Sequence, residues 1–269
     1  MPIPADLLLA TALAVFLLMT AGWVASLVRR NVTGVDSLWG LGFVIVSWIG
    51  GLAGEGWEGR RLAVAALATL WGLRLSLYLT ARNRGRPEDP RYAAWRRASG
   101  RRFAWVSLFK VFWLQAAFLW AIALVLLAPQ TAPGPARPTG WDAAGGSLAL
   151  FGILFETIAD RQLARFKADP QNRGRVMDRG LWRFSRHPNY FGECLVWWGF
   201  YGIALAVPGG GYTIFSPILV TLVLLKMTGI PLTERSILER RPAYRDYQRR
   251  TSAFIPLPPR EPKHDESSD

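Results

Sequence analysis

The sequence predicts an all-α integral membrane protein with seven transmembrane helices, an N-terminus outside and a C-terminus in the cytoplasm. Three observations support this fold class. Of the 269 residues 51% are hydrophobic and 19% are charged, whereas about a quarter of the residues in soluble domains are charged. The apolar residues form long runs separated by short connections, and the basic residues cluster in alternate connections.

The long apolar runs define the candidate spans. A helix needs about 20 mainly apolar residues to cross the hydrocarbon layer. The first run lacks a basic leader and precedes Arg29 and Arg30, so we expect it to be retained as a span and not cleaved as a signal peptide. The predicted spans are residues 5–28, 37–53, 62–81, 103–128, 141–160, 189–207 and 212–230. Together they form a single membrane domain over residues 1–260, followed by a polar tail over residues 261–269.

The distribution of Lys and Arg predicts the orientation. Of the 32 basic residues, 27 fall in four segments, with two in 29–30, eight in 82–102, eight in 161–187 and nine in 226–269. The alternate connections contain only Arg60, Arg61 and Arg137. Because basic loops remain on the cytoplasmic side, we expect a multi-pass protein of the bacterial inner (cytoplasmic) membrane.

The composition excludes several kinds of site. One cysteine, Cys194, cannot form an internal disulfide framework or a multi-cysteine metal site, and His187 and His264 are too few for a histidine cluster. We therefore expect no metal. The net charge of +13 would suit nucleic acid, but the basic loops connect membrane spans. We expect anionic membrane lipids as partners instead of nucleic acid.

Ionisable and polar residues within or beside the spans are the candidate functional residues, because burying them in lipid costs several kcal/mol. Glu156 and Asp160 lie four residues apart on one face of the fifth span, and Asn189 and Glu193 repeat this spacing in the sixth. Two carboxylates one turn apart repel each other unless a cation or donor compensates. Near the span ends, snorkelling or capping is an open alternative. The residues to which it applies are Asp36, Lys226 and, most directly, Lys110.

The inner loops favour arginine over lysine. Residues 82–91 read RNRGRPEDPR and residues 173–189 read RGRVMDRGLWRFSRHPN. Membrane topology explains basic residues here, but the planar guanidinium group also binds phosphate in a bidentate manner. Gly85, Gly174 and Gly180 would let backbone N–H groups approach a ligand. No GxGxxG follows a strand, so a nucleotide would have to bind among helix ends and loops.

One stretch resembles a known family. Gly180–Glu193, GLWRFSRHPNYFGE, is similar to the C-terminal domain of the steroid 5-alpha-reductase superfamily, closest to a bacterial branch labelled a domain of unknown function. Asn83–Pro87 (NRGRP), Asp160, and Tyr247 with the ending Ala253–Pro256 agree with it. The resemblance covers about residues 70–256, and the reductase-like C-terminal part is about 103–256.

The resemblance implies a seven-helix reductase that uses NADPH to reduce an enone-type C=C bond. A lipophilic, steroid-like or other lipid substrate would enter from the bilayer. Asn189 and Glu193 would hold the nicotinamide end, and Glu193 is also a catalytic candidate. The residues implied to bind the cofactor are Asn83, Arg86, Glu156, Asp160, Lys167, Arg186, His187, Asn189, Tyr190, Glu193 and Lys226.

The sequence departs from the steroid enzymes at the proton donor. The Tyr that polarises the steroid carbonyl falls on Gly72, and Asp36 and Tyr78 are the remaining catalytic candidates for that role. An alternative is an S-adenosylmethionine-dependent methyltransferase of the isoprenylcysteine or phospholipid type, which shares an Arg-His-Pro core. Those enzymes usually lack Asn before the Tyr, so Asn189 favours the reductase. A non-catalytic lipid-binding protein is a third possibility.

Overall fold

The computed structural model describes residues 3–227 and 229–260, and every regular element in those ranges is helical. The polar tail predicted over residues 261–269 lies outside the described residues. The α-helices are α1 Ala5–Arg29, α2 Val35–Ala53, α3 Glu58–Asn83, α4 Pro90–Ser99, α5 Phe103–Ser107, α6 Leu114–Thr131, α7 Gly140–Ala168, α8 Pro188–Ala204, α9 Phe215–Leu222, α10 Ile230–Arg240 and α11 Tyr244–Arg250.

Several of these helices have the length and composition of membrane spans. In the described part of the chain, six helical stretches are long and apolar enough to cross a membrane, namely Ala5–Arg29, Val35–Ala53, Glu58–Asn83, Pro90–Thr131, Gly140–Ala168 and Gly210–Arg240. Large apolar side chains on α1 are exposed, as lipid contact requires; Leu9, Leu13 and Leu17 are 61%, 54% and 68% exposed. The chain is therefore a multi-pass membrane protein with an all-helical fold.

The predicted spans match these helices with local differences. The predicted sixth span, 189–207, forms α8, whose 17 residues extend about 25 Å along the helix axis. This helix is slightly shorter than the six stretches that are long enough to cross a membrane. The predicted connection 82–102 contains α4, which begins where Asp89 caps the backbone N–H of Arg91 at 2.9 Å and Pro90 occupies the first turn. Helix α7 continues eight residues beyond the predicted end at 160.

The helix geometry changes at two positions inside the apolar stretches. Leu108–Trp113 and Val223–Met227 form π-helical turns within otherwise α-helical runs. Such turns insert one extra residue per turn and mark local bends. The last predicted span, 212–230, is accordingly made of a 3₁₀ turn at Gly210–Ile214, then α9, then the second π turn.

The chain divides into two compact units. The first comprises the residues up to Gly146 together with Phe200–Ser216, and the second comprises Ser147–Gly199 and the residues from Pro217 onward. The first unit therefore holds α1 to α6. The second holds most of α7 and α8 and also α10 and α11.

Close glycine contacts join α2 to α3 in the first unit. A Cβ added at Gly40 would lie 2.1 Å from the carbonyl oxygen of Gly72, and one added at Gly72 would lie 2.5 Å from that of Gly40. Side chains cannot enter such a crossing, so the two backbones touch directly, as small residues allow in membrane helices. Gly72 therefore has a packing role at the position where the steroid enzymes carry their carbonyl-polarising Tyr.

A buried ion pair fixes the opposite end of the first unit. Arg60, only 1% exposed, donates from Nε to Asp142 at 2.6 Å and from Nη2 at 2.8 Å. Asp142 also accepts from the backbone and hydroxyl of Thr139 at 2.8 Å each, which caps the start of α7. Arg60, predicted to be a loop residue, is a structural side chain in the first turn of α3.

The α2–α3 contact gives a stability prediction. We expect Gly72→Ala to lower the free energy of unfolding by about 1–3 kcal/mol, because its Cβ would meet backbone atoms that can yield only by separating the helices. Thermal unfolding in detergent measures the change. Gly146→Ala is the matched control, since nothing lies within 4 Å of its added Cβ. Equal stability of the two variants would contradict the packing role of Gly72.

Candidate functional site

The predicted acidic residues Glu156 and Glu193 lie near the point where α7 and α8 touch. A Cβ added at Gly192 would lie 2.7 Å from the backbone nitrogen of Glu156, and one at Gly152 would lie 2.7 Å from the carbonyl oxygen of Gly192. The two glycines therefore bring the helices into backbone contact. Because Glu193 follows Gly192 directly, the predicted residues Glu156 and Glu193 stand on adjoining turns of neighbouring helices.

Predicted polar side chains are buried around this contact. Glu156 is 2% exposed and Asp160 is 3% exposed, and both hold interactions with other groups. On α8, the side-chain oxygen of Asn189 is buried and has no hydrogen-bond partner among the described residues. A buried acceptor without a donor is rare in native proteins. Asn189 is thus the member of this group best suited to accept from a ligand.

The loop before α8 is attached to α7. Gly180 adopts a left-handed backbone with φ +58°, and an added Cβ would lie 2.6 Å from the side-chain amide of Gln162. Gln162 accepts from the backbone N–H of Leu181 at 2.9 Å, and the indole of Trp182 donates to the carbonyl of Ala159 at 3.0 Å. The glycine expected to approach a ligand therefore makes room for Gln162.

Glu234 on α10 is the centre of the hydrogen-bond network beyond this loop. It accepts from Nε of Arg186 at 2.6 Å, from Nε2 of His187 at 3.1 Å and from Nε2 of Gln248 at 2.6 Å. The hydroxyl of Tyr244 donates to the same carboxylate at 3.3 Å. Two residues predicted to bind a cofactor, Arg186 and His187, are therefore bound to a carboxylate of the protein itself.

The C-terminal segment is held against the same loop. Arg186 donates from Nη1 to the carbonyls of Gln248 at 3.0 Å and Thr251 at 2.6 Å, and its backbone N–H donates to Ser252 at 2.8 Å. The hydroxyl of Ser185 donates to the carbonyl of Phe254 at 2.8 Å. These bonds fix the loop immediately before Asn189.

Tyr247 binds the same loop from α11. It is 2% exposed, and its hydroxyl donates to the carbonyls of Trp182 and Ser185. Tyr247 was part of the resemblance to the reductases, and the structure gives it this anchoring contact. The loop is thus tied both to α7 and to α11.

Burial sets the protonation state of His187. The imidazole is 3% exposed, and burial lowers its pKa below the ordinary value of 6.5, although the hydrogen bond to Glu234 acts in the opposite direction. The ring is therefore neutral near pH 7. Since a carboxylate only accepts, Nε2 carries the proton. The ring of Tyr190 stacks on it at 5.3 Å, and the Tyr190 hydroxyl lies 3.3 Å from that of Thr233.

The two predicted lysines lie apart in the second unit. Lys167, at the end of α7, lines a recess of about 220 Å³. Lys226 is exposed in the π turn after α9. Lys167 thus lines a cavity that could accept a ligand.

In the first unit, Asp36 and Tyr78 share one arginine. Nη2 of Arg82 lies 3.9 Å from a carboxylate oxygen of Asp36, and its guanidinium carbon lies 5.9 Å from the centre of the Tyr78 ring. The two candidate proton donors are thus neighbours on α2 and α3. Asn83 is the last residue of α3, and its carbonyl accepts from the backbone N–H of Arg86 across a turn whose Gly85 has φ +70°.

Some arginines near this turn form ion pairs with the acids between them. Arg96 donates to Glu88 at 2.7 and 2.9 Å, and Arg91 donates to Asp89 with two bonds of 3.0 Å. The hydrogen bond from Arg96 is the main reason that the pKa of Glu88 lies below its usual range. Arg86 is exposed on the turn, as Arg84 is, so a ligand could reach its guanidinium group.

The fold and these buried polar groups define a multi-pass helical membrane protein with an ionisable cluster on α7 and α8. The chain belongs to the DUF1295 family, described as a protein family of unknown function, whose model matches residues 22–251. An uncharacterized protein of Schizosaccharomyces pombe is 31% identical over 285 aligned residues, which cover 90% of this chain and 77% of that protein. No solved structure matches the chain with significance.

Glu234 is the site residue that the sequence did not reveal. It lies in PLTERS, inside a C-terminal segment rich in arginine, whose basic residues predict membrane orientation. No local pattern pairs this acid with the Arg-His segment 47 residues earlier. The partner itself depends on the path of α10 and cannot be derived from spacing.

The network around Glu234 predicts a large loss of stability on truncation. We expect Glu234→Ala to cost roughly 3 kcal/mol, because it leaves Arg186 and His187 largely buried without their acceptor. Chemical or thermal unfolding measures the change. Glu239→Ala on the same helix is the control, since its side chain is 66% exposed and its pair with Arg235 contributes about 0.5 kcal/mol or less. Similar losses in the two variants would contradict the central role of Glu234.

The neutral state of His187 predicts a pH dependence. Because its pKa is lower in the folded chain than the 6.5 of the unfolded one, the unfolded chain takes up the proton first as the pH falls. Stability is therefore full above about pH 6.5 and declines below it. We expect the thermal midpoint to drop between about pH 7.5 and pH 5.5 more steeply in the wild type than in His187→Gln. Parallel profiles would show that His187 is not the titrating group.

Proposed function

We propose that the protein is a membrane-embedded, NADPH-dependent reductase of an enone-type C=C bond in a lipophilic substrate. The observation that carries the proposal is the buried side-chain oxygen of Asn189, which has no donor within the described residues. Glu193 lies one turn further along α8. The stretch that contains both residues resembles the nicotinamide-binding part of steroid 5-alpha-reductases.

The donor and acceptor chemistry of these residues fits a carboxamide. A carboxamide offers an NH₂ group and a carbonyl, so it needs both an acceptor and a donor. The Asn189 side chain has both functions, and the Glu193 carboxylate is a second acceptor. When bound, NADPH supplies a hydride for the carbon–carbon double bond. Asn189 and Glu193 would then fix the orientation of the nicotinamide end, with the acids Glu156 and Asp160 on the neighbouring helix.

Arg186 and His187 would support the proposed site indirectly, by holding the backbone that leads to Asn189. Their side chains bind Glu234, and Asn189 follows two residues later at the first turn of α8. By fixing this entry to the helix, the pair would hold the Asn189 amide in one position. A preorganised group loses less entropy when a ligand binds.

The residues of the first unit have separate roles in the proposal. Asn83 and Arg86 would contact cofactor phosphates, for which an exposed guanidinium group is suited. Asp36 or Tyr78 would hold the proton that the substrate carbonyl oxygen accepts as the hydride arrives. Arg82, which contacts both donors, would orient whichever of them acts.

The proposal includes seven spans with the N-terminus outside. Helix α8 would be the seventh, since about 25 Å of helix crosses a bilayer that thins slightly around it. The concentration of basic residues in the four inner segments supports this orientation. We place the protein in the bacterial inner membrane, although the fission yeast relative shows that similar chains occur outside bacteria.

Binding by the purified chain in detergent tests the proposed function. We expect saturable NADPH binding, followed by nicotinamide fluorescence, with affinity reduced about tenfold or more in Asn189→Ala because a buried acceptor is lost. Gln171→Ala, which removes an exposed amide, should bind like the wild type.

S-adenosylmethionine is the comparison ligand in the same experiment. Binding of S-adenosylmethionine alone would replace the reductase with the methyltransferase alternative. Binding of neither ligand would leave a lipid-binding protein. Either result overturns the proposal.

A further inference from the structure

The second unit contains a recess at the end of α7. It has a volume of about 220 Å³ and is lined by Phe166, Lys167, Ala168, Asp169, Pro170, Asn172, Arg173 and Arg241. At roughly 30 Å³ per molecule, that volume would hold about seven waters. The recess therefore admits a small polar group, such as a phosphate with part of its sugar or glycerol.

The lining of the recess is positively charged. Lys167, Arg173 and Arg241 contribute three cations against one carboxylate, that of Asp169. Both oxygens of Asp169 already accept hydrogen bonds, one from the backbone N–H of Gln171 at 2.9 Å and the other from Nδ2 of Asn172 at 3.1 Å. The acid thus shapes the turn, and the cations determine the charge that a ligand meets.

One of the cations is held in place by the protein. Arg241 is half-buried, and its Nη1 donates to the carbonyl of Arg175. This bond fixes the guanidinium group at the wall of the recess, and its other N–H groups have no partner among residues 3–227 and 229–260. Arginine groups fixed in this way bind the oxygens of a phosphate in a bidentate manner.

The recess lies in line with the acids of α7. Lys167 is seven residues beyond Asp160 and eleven beyond Glu156, so all three lie on one helix face. At 1.5 Å per residue the recess is about 16 Å along the helix from Glu156. This separation suits the two ends of an extended dinucleotide whose carboxamide lies near the α7–α8 contact.

We propose that Lys167, Arg173 and Arg241 form a phosphate site that determines the choice of nucleotide. This inference rests on the proposed function. The recess would take the 2′-phosphate that distinguishes NADPH from NADH, for which a nearby arginine is the usual partner. The other source of the same chemistry is the phosphate of an anionic lipid headgroup.

The test compares the two nucleotides in the full-length chain. We expect Arg173→Ala to weaken NADPH binding about tenfold, the equivalent of one charge-assisted contact, and to leave NADH binding unchanged. Adenosine 2′,5′-bisphosphate should displace NADPH from the wild type more strongly than adenosine 5′-monophosphate does, and this difference should vanish in the variant. Arg165→Ala is the matched control, because it removes the same charge from an exposed residue of α7 outside the recess.

The outcomes separate this inference from the proposed function. If NADPH and NADH both bind and Arg173→Ala weakens both equally or neither, the phosphate site is wrong while the reductase proposal stands. If the wild type binds neither nucleotide, the reductase proposal fails. The detergent-solubilised chain is then mixed with phosphatidylcholine vesicles with and without phosphatidic acid, and its binding to the lipid tests whether the recess takes a lipid phosphate. Binding that needs phosphatidic acid and is lost in Arg173→Ala supports a lipid phosphate in the recess. If no such binding is found, the phosphate site itself is wrong.

Discussion

The pairing of Glu234 with Arg186 and His187 is the constraint on which the second unit depends. Two cationic or protonatable side chains that are largely buried need an acceptor, because an unpaired buried charge costs several kcal/mol. Glu234 supplies it, and Gln248 and Tyr244 complete the shell. The same bonds fix the loop before α8, so the position of Asn189 follows from an ion pair several residues away.

This arrangement gives the polar residues around the start of α8 two kinds of role. The resemblance assigned the Arg-His-Pro segment to the cofactor. In the structure, the side chains of Arg186 and His187 form their hydrogen bonds with Glu234 and with backbone carbonyls of the protein itself. In the proposed reductase, the Asn189 amide and the basic recess at the end of α7 would meet the ligand, with the acids of the α7–α8 contact beside them. A polar network that is satisfied internally keeps one geometry, and the proposed binding site beside it would share that rigidity.

Glycine contacts position helices in both units, and they explain a departure from the steroid enzymes. Gly40 and Gly72 bring α2 and α3 into backbone contact, as Gly152 and Gly192 do for α7 and α8. A Tyr at Gly72 could not be accommodated at this crossing. In the proposed reductase the proton donor would therefore lie elsewhere, and Tyr78 and Asp36 beside Arg82 would suit a substrate that differs from a steroid.

The sequence by itself determined the helical membrane class, the apolar stretches and the residues of the α7–α8 group, because hydropathy and the four-residue spacing are local properties of the chain. The extent of α4 and α7 was missed, since capping by Asp89 and the continuation of a helix past its apolar part are not hydropathy signals. Only the tertiary structure decided that Glu234 is the partner of Arg186 and His187, that Gly180 accommodates Gln162 and that Arg173 and Arg241 meet Lys167 in one recess. These contacts join residues 6 to 74 positions apart, and the path of the backbone between them sets which side chains meet.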